Sequence, residues 1–223
     1  MKRRLLLWGI MLVYAFCLMV VGVCLPQYLA VVDKVDGPAW VVREDWSYPL
    51  QIGMGLTVGD KIKTGVQGTV IIKFADRHTV NLGPQSVLIL KRLDKKNYHT
   101  DVSIYLEIGR VMVEVWKKFW EKINFEVESH AAIAGVRGTK FEVKADESGK
   151  MEVRVLDGIV ELTGKADGTK IKLSSGQISV IALGEKPVIL SGEDTHVQGE
   201  GNKTPKTNGD SQSGSGRRGG KGR

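Results

Sequence analysis

The chain predicts a mainly β domain of short strands, framed by one N-terminal transmembrane helix and a disordered C-terminal tail. Three observations carry this. Between residues 31 and 190 turn signals recur about once every 8–12 residues, the rhythm of a sandwich, barrel or solenoid. The segments between them alternate apolar and polar residues with period two, as where Thr139, Phe141 and Val143 alternate with Lys140, Glu142 and Lys144. The two flanks differ in kind from the middle: an uncharged apolar run at one end, a Gly/Ser-rich basic run at the other.

Residues 1–30 form the first segment. Lys2, Arg3 and Arg4 precede Leu5 to Leu25, which are 21 residues without a charge. As a helix at ~1.5 Å per residue this run is about 31 Å long, enough to cross a hydrocarbon core of ~30 Å. A cleavable signal has a shorter apolar region, ~7–15 residues, and small residues at the cut. Tyr28-Leu29-Ala30 places bulky Tyr28 where a small residue is wanted. An uncleaved signal-anchor helix is therefore favoured, with a product secreted after signal cleavage as the alternative. Val23 likewise stands in the wrong place for a lipoprotein site at Cys24. The basic end is expected to stay cytoplasmic, with the rest in the periplasm or at the cell surface. Both cysteines, Cys17 and Cys24, lie in the apolar run. The exported part thus has no disulfide, thiolate metal site or thiol nucleophile, and must be held by its core.

The net charge of +7 is unevenly placed: Lys2–Arg4 supply +3 and the tail from Ser191 supplies +2, leaving +2 for everything between. So balanced a middle argues against a nucleic-acid-binding core.

Residues 31–190 read as strands and turns. Ala39-Trp40-Val41-Val42 is a strand, followed by a polar and aromatic turn from Arg43 to Pro49. Gly53, Gly55 and Gly59 superficially resemble a phosphate loop, but no helix pattern follows, and turns between strands are the better reading. Asp60 is expected to cap a turn. Residues 69–74 and 78–82 flank Ala75-Asp76-Arg77 as a hairpin, and Ser86 to Leu90 is the next strand. Lys91 to Thr100 reads as a charged, exposed loop. Two strands follow around Gly109, with Val111, Val113 and Val115 on one face. Then the period changes: Trp116, Phe119, Trp120 and Ile123 fall at i, i+3, i+4 and i+7. That is one side of a short helix, or else a long hairpin tip with aromatics folded over the core. The stripe either covers the β-domain or forms an interfacial, partner-binding surface. Asn124 to Glu128 returns to strand alternation, and Asp157-Gly158 and Asp167-Gly168 mark later hairpin turns. From Ser191 to Arg223, Val197 is the only aliphatic residue larger than Ala, so residues 191–223 are expected to stay disordered.

The stretch that organises the chain is Gly135-Val136-Arg137-Gly138-Thr139, followed by Phe141-Glu142-Val143. Gly135 and Gly138 suit a close backbone approach or φ > 0. Arg137 between them is expected to donate several hydrogen bonds at a tight turn, and its loss to cost ~1–3 kcal/mol, with direct binding of a partner by these residues as the alternative. These residues resemble the signature of the FecR domain, a bacterial extracytoplasmic β-domain. Leu56 to Gly65 resembles the family's "L..GD.I.TG" element, Val70 to Asp76 the strand after it, and Leu82 to Ser86 the next turn. One place departs: Arg77 stands where the family usually has glycine. The resemblance implies two layers of short strands with a solenoid-like winding, although no strict repeat is visible. It also implies an external β-domain that receives a signal, with an internal segment controlling a sigma factor. Only Met1–Arg4 precede the apolar run, too few for such a segment, so that mechanism is not expected here.

No catalytic residue, cofactor or metal site is indicated. There is no nucleophile elbow and no H-E-x-x-H. Ser129, His130 and Asp157 could be joined into a triad only on paper. What remains is a non-enzymatic envelope sensor or scaffold, held in the membrane by Leu5 to Leu25, that binds an envelope protein or glycan. The resemblance adds a role in signal transduction. The alternative is polyanion or nucleic-acid binding through the basic tail, where Arg217 to Arg223 resembles an RGG-type end.

Overall fold

The computed structural model describes residues 28–74, 77–116 and 122–190. The apolar run, the tail from Ser191, the Ala75-Asp76 turn, Phe119 and Trp120 all lie outside the described residues. Those described form seventeen strands and no helix. The first eight are β1 (Ala30–Asp36), β2 (Ala39–Arg43), β3 (Trp46–Pro49), β4 (Gly55–Leu56), β5 (Lys61–Thr64), β6 (Thr69–Phe74), β7 (His78–Leu82) and β8 (Val87–Lys96). After the long β9 (His99–Glu114) come β10 (Lys122–Glu128), β11 (Ala132–Val136), β12 (Lys140–Ala145) and β13 (Met151–Asp157). The last are β14 (Ile159–Gly164), β15 (Lys170–Ser174), β16 (Ile178–Ile181) and β17 (Val188–Leu190).

Two sheets share β9. The first runs β4-β1-β6-β7-β9-β12-β13-β16-β17, antiparallel throughout. The second runs β3-β2-β5-β8-β9-β10-β11-β14-β15, with β9 and β10 parallel and every other pair antiparallel. Neither closes on itself. After β9 the chain visits the sheets in pairs of strands: β10 and β11 in the second, β12 and β13 in the first, β14 and β15 in the second, β16 and β17 in the first.

Strand β9 can serve both sheets because it bends. His99 to Ile108 pairs with β8, and from Gly109 onward the strand pairs with β12. Gly109 has φ 104°, and a Cβ there would fall on the Ser86 side chain. Ser86 Oγ accepts the Arg110 N–H at 3.0 Å. Thr64 Oγ1 in turn accepts the Ser86 N–H at 2.9 Å and donates to the Gly83 carbonyl at 2.7 Å. The Leu56–Gly65 and Leu82–Ser86 elements therefore meet at this bend, which they satisfy with buried hydroxyls.

Period-two burial fills the space between the sheets. Val70, Ile72 and Phe74 of β6 and Phe125 and Val127 of β10 are fully enclosed. Phe74 of the first sheet and Phe125 of the second meet edge to face, with centroids 5.8 Å apart. Each large apolar side chain so enclosed contributes ~1.5–3 kcal/mol.

Four local expectations change. Asp157-Gly158 is not a hairpin turn: β13 pairs in the first sheet and β14 in the second, so this turn carries the chain between sheets. Lys91 to Thr100 is not a loop: β8 and β9 continue as a hairpin to a turn at Asn97, which has φ 51°. Cross-strand hydrogen bonding there overrides the charged composition. The Arg43–Pro49 turn shrinks to Glu44 (φ 53°) and Asp45, and Trp46–Pro49 becomes an edge strand. Ile123 is in strand β10 and 6% exposed, alternating inward with Phe125 and Val127, whereas Trp116 is 53% exposed. Ile123 thus follows the strand period that governs from Lys122 and not a helical spacing, while Phe119 and Trp120 lie outside the described residues.

Asp60 does more than cap a turn. Only 3% of its side chain is exposed, and its carboxylate accepts Nε and Nη2 of Arg43 at 2.9 Å each and the Thr57 N–H at 2.9 Å. Arg43 Nη2 also donates to the Gly55 carbonyl at 2.7 Å. The guanidinium is held above its ordinary pKa, first by the hydrogen bonding it donates to Asp60.

Candidate functional site

The glycine-bracketed stretch divides into a buried part and an exposed part. In β11, Ala132, Ala134 and Val136 face inward, so Ile133, Gly135 and Arg137 face outward. Beyond β11 the chain crosses from the second sheet to the first. Gly138 makes that crossing with φ 72°. Thr139 is buried, donates Oγ1 to the Ile159 carbonyl at 2.8 Å, and accepts the Val115 N–H at 2.9 Å. Gly158 lies against this corner with φ 93°; a Cβ on it would sit 2.9 Å from Thr139 Oγ1 and 3.0 Å from the Gly138 oxygen. Phe141 then enters the core, fully buried.

Arg137 does not hold the corner together. It is exposed, and its guanidinium makes no hydrogen bond or ion pair with the described residues. Strand alternation is the reason: two residues after Gly135 on the same face, it must point away from the core. Gly135 is not a close-approach glycine either, since the nearest atom to a Cβ there would be the Glu161 oxygen at 3.9 Å. What its missing side chain leaves is a gap in the outer surface of the sheet.

Register builds the rest of the site. Glu126 of β10 lies beside Gly135, Glu161 of β14 on its other side, and Lys172 of β15 beyond Glu161. One row along, Glu128 pairs with Ile133, Ile133 with Thr163, and Thr163 with Lys170. All of these except Glu128, together with Arg137, Asn124 and Ile159, line an open groove of about 760 Å³. Lys170 Nζ binds Glu161 at 3.1 Å, and Asn124 Nδ2 lies 3.3 Å from a Glu126 oxygen. Arg137 and Lys172 stay unengaged among the described residues. Ile159 is 58% exposed on the groove wall. At the border Tyr105 meets His130 edge to face at 5.5 Å, with the Lys91 and Lys165 ammonium groups 5.2 and 5.4 Å from its ring centre. Burial, then Glu107 and Glu128, push the Tyr105 phenol above its ordinary pKa.

Chemically the groove offers free cations, carboxylate acceptors and a bare apolar floor. It suits a polar chain, peptide or sugar, lying across the strands. It contains no nucleophile with a base. Ser129 Oγ, the serine of the paper triad, accepts the Ala131 and Ala132 N–H groups at 3.2 and 3.4 Å, which makes it a turn residue. Among the described residues no three His, Cys, Asp or Glu side chains come together as metal ligands would.

The fold and signature agree with a family match. Residues 60–161 match the family described as FecR protein. The chain carries a FecR domain. The match opens on Asp60 of the buried ion pair and closes on Glu161 of the groove wall. No curated protein matches the chain. Two crystal structures of a "putative anti-sigma factor" from Parabacteroides distasonis are similar. One has 20% identity and a TM-score of 0.49, covering 61% of this chain and 60% of that one. The other has 19% identity and a TM-score of 0.48, covering 59% of each. The FecR chain described here thus spans about 60% of the length of those proteins.

Within the FecR domain, Val136, Thr139 and Phe141 are buried and Gly138 turns the chain at positive φ, whereas Gly135 and Arg137 lie on the outer face of the sheet. Of the aromatic stripe, Trp116 is exposed and Ile123 is core, so the two share no surface. The sequence reading missed the Arg43–Asp60 pair, whose partners are 17 residues apart with no local pattern. It also missed the groove residues of β10, β14 and β15. The outward polar alternation of Asn124, Glu126 and Glu128 was visible, but not which strands lie beside it.

Proposed function

We propose that the protein is a non-enzymatic, membrane-anchored FecR domain protein. It works outside the cytoplasm as a sensor or scaffold, binding an envelope protein or glycan in the Arg137 groove, and takes part in signal transduction. The observation that carries this is the free guanidinium of the family's signature arginine, placed beside the gap left by Gly135. A solvent-facing arginine without a partner adds little to folding, so its place in the signature fits recognition better than stability. The uncharged run from Leu5 to Leu25 supplies the anchor.

The test places a photocrosslinking amino acid at Ile159 in the groove and at Val66 on a distant turn, in cells of the native host. A discrete adduct is expected from position 159 and not from 66. Arg137→Ala should abolish that adduct while leaving thermal unfolding unchanged. An adduct that persists undiminished in Arg137→Ala, or none from position 159, would overturn the groove assignment.

A further inference from the structure

Large apolar side chains stand exposed at one end of the domain. Tyr28 is 45% exposed, Trp46 70% and Tyr48 48%. All three gather at Arg43: Trp46 is its cross-strand partner, and Tyr28 and Tyr48 both act on its charge. The Tyr28 ring lies against Gly55, in space that a Cβ would need. Two turns beside it add Ile52, 66% exposed, and Val58, 56% exposed. The Ile52 turn is tied to β1 by the Gly53 N–H donating to Val32, and the Val58 turn is tied to Arg43 through Asp60. Trp116 is at the same end of the first sheet. Ala30 pairs with Phe74, Phe74 with His78, and His78 Nδ1 accepts the Trp116 N–H at 3.1 Å.

This is also the end at which the chain enters the domain. Tyr28 is three residues past Leu25, the last residue of the uncharged run. Three residues span at most ~10–11 Å even when extended. If that run crosses a bilayer, the rim cannot stand far from the headgroups. Tryptophan and tyrosine are the residues that favour this zone, since an apolar ring is buried while the polar tip stays wet.

We infer that the rim formed by Tyr28, Trp46, Tyr48, Ile52, Val58 and Trp116 rests in the headgroup region of the bilayer that anchors the chain, and so fixes the orientation of the FecR domain on the membrane. The inference rests on the anchored reading given above. The occupant is a lipid surface, because the leash is too short to admit a protein layer between domain and membrane. The turn that carries Trp46 bears Glu44 and Asp45, so anionic lipid is not required and contact should be insensitive to salt. With this end against the lipid, Val66 at the opposite end stands clear. Ala39 pairs there with Thr64, and Val66 is 72% exposed.

The experiment uses the full chain in phosphatidylcholine vesicles. Cys17 and Cys24 are replaced by alanine, and one cysteine at a time is introduced by Trp46→Cys, Ile52→Cys, Trp116→Cys or Val66→Cys and labelled with an environment-sensitive dye. All four positions are exposed, so folding should be kept. Lipids carrying a nitroxide at the headgroup should quench the dyes at 46, 52 and 116 several-fold more than the dye at 66, equally at low and high salt. Equal and weak quenching at all four positions, in protein that resists carbonate extraction, would overturn the rim contact and leave the anchor standing. Extraction of the protein by carbonate would overturn both.

Discussion

Replacing Asp60 by alanine isolates what the best-connected ion pair contributes. The carboxylate is 3% exposed and takes three hydrogen bonds, two of them from a guanidinium. Hydrogen bonds to charged groups contribute ~1.5–3 kcal/mol each when lost singly. Arg43, however, is 39% exposed and recovers water once freed, which removes much of its share. The Thr57 N–H is left without its acceptor. A loss of ~2–3 kcal/mol follows, which for a domain of this size lowers Tm by ~4–12 °C. Arg43→Ala should cost at least as much, because it leaves a carboxylate with one N–H donor in a place closed to water, and breaking a buried pair costs ~3–5 kcal/mol. The double variant should cost less than the two singles together, with a coupling of ~1–3 kcal/mol. Thermal and urea unfolding of the full chain in mild detergent, followed by circular dichroism, reads all three. Strict additivity, or an Asp60→Ala protein within ~0.5 kcal/mol of the parent, would refute the claim that this pair ties β2 to the Thr57–Asp60 turn.

Three further outcomes are expected. Arg137→Ala should unfold within ~0.5 kcal/mol of the parent, since no contact is lost; a Tm drop of several degrees would restore a structural role for it. Gly158→Ala should lose ~1–3 kcal/mol, because it combines positive φ with a clash at the Thr139 corner, whereas Gly135→Ala should lose nothing and instead narrow the groove; the pair is compared by the same unfolding assay. Asp146 and Asp167 are held below the ordinary carboxylate pKa, first by the Ser148 and Thr169 hydroxyls respectively. Their contribution is therefore complete above that range and is lost only as pH falls through the lowered values. Carboxyl NMR titration should show both midpoints below 3.8, and Ser148→Ala should raise that of Asp146 alone.

A good part of this domain could be read without coordinates. Alternation located β6, β7 and β12 because a strand buried on one face must repeat every two residues. Asp167-Gly168 marked a hairpin turn correctly, whereas Asp157-Gly158 carries the same local signal and instead takes the chain from one sheet to the other. The signature residues were found, but their roles were not. Gly138 showed its positive φ by being glycine, whereas Arg137 looked like a hydrogen-bond donor within the fold only while its neighbours were unknown. The charged hairpin from Lys91 to Thr100 was misread because composition describes exposure, and an exposed segment can still pair.

Sequence by itself determined the period of each strand, the places where the chain must turn, and the even charge of the body between a basic leader and a basic tail. These are local properties, set within a few residues by sterics and side-chain polarity. Tertiary structure alone decided that β9 bends to serve two sheets, that Arg43 reaches Asp60, and that Glu126, Gly135, Glu161 and Lys172 stand in one row. Such a row depends on which strands become neighbours and in what register, and a shift of one residue would turn every one of those side chains to the other face.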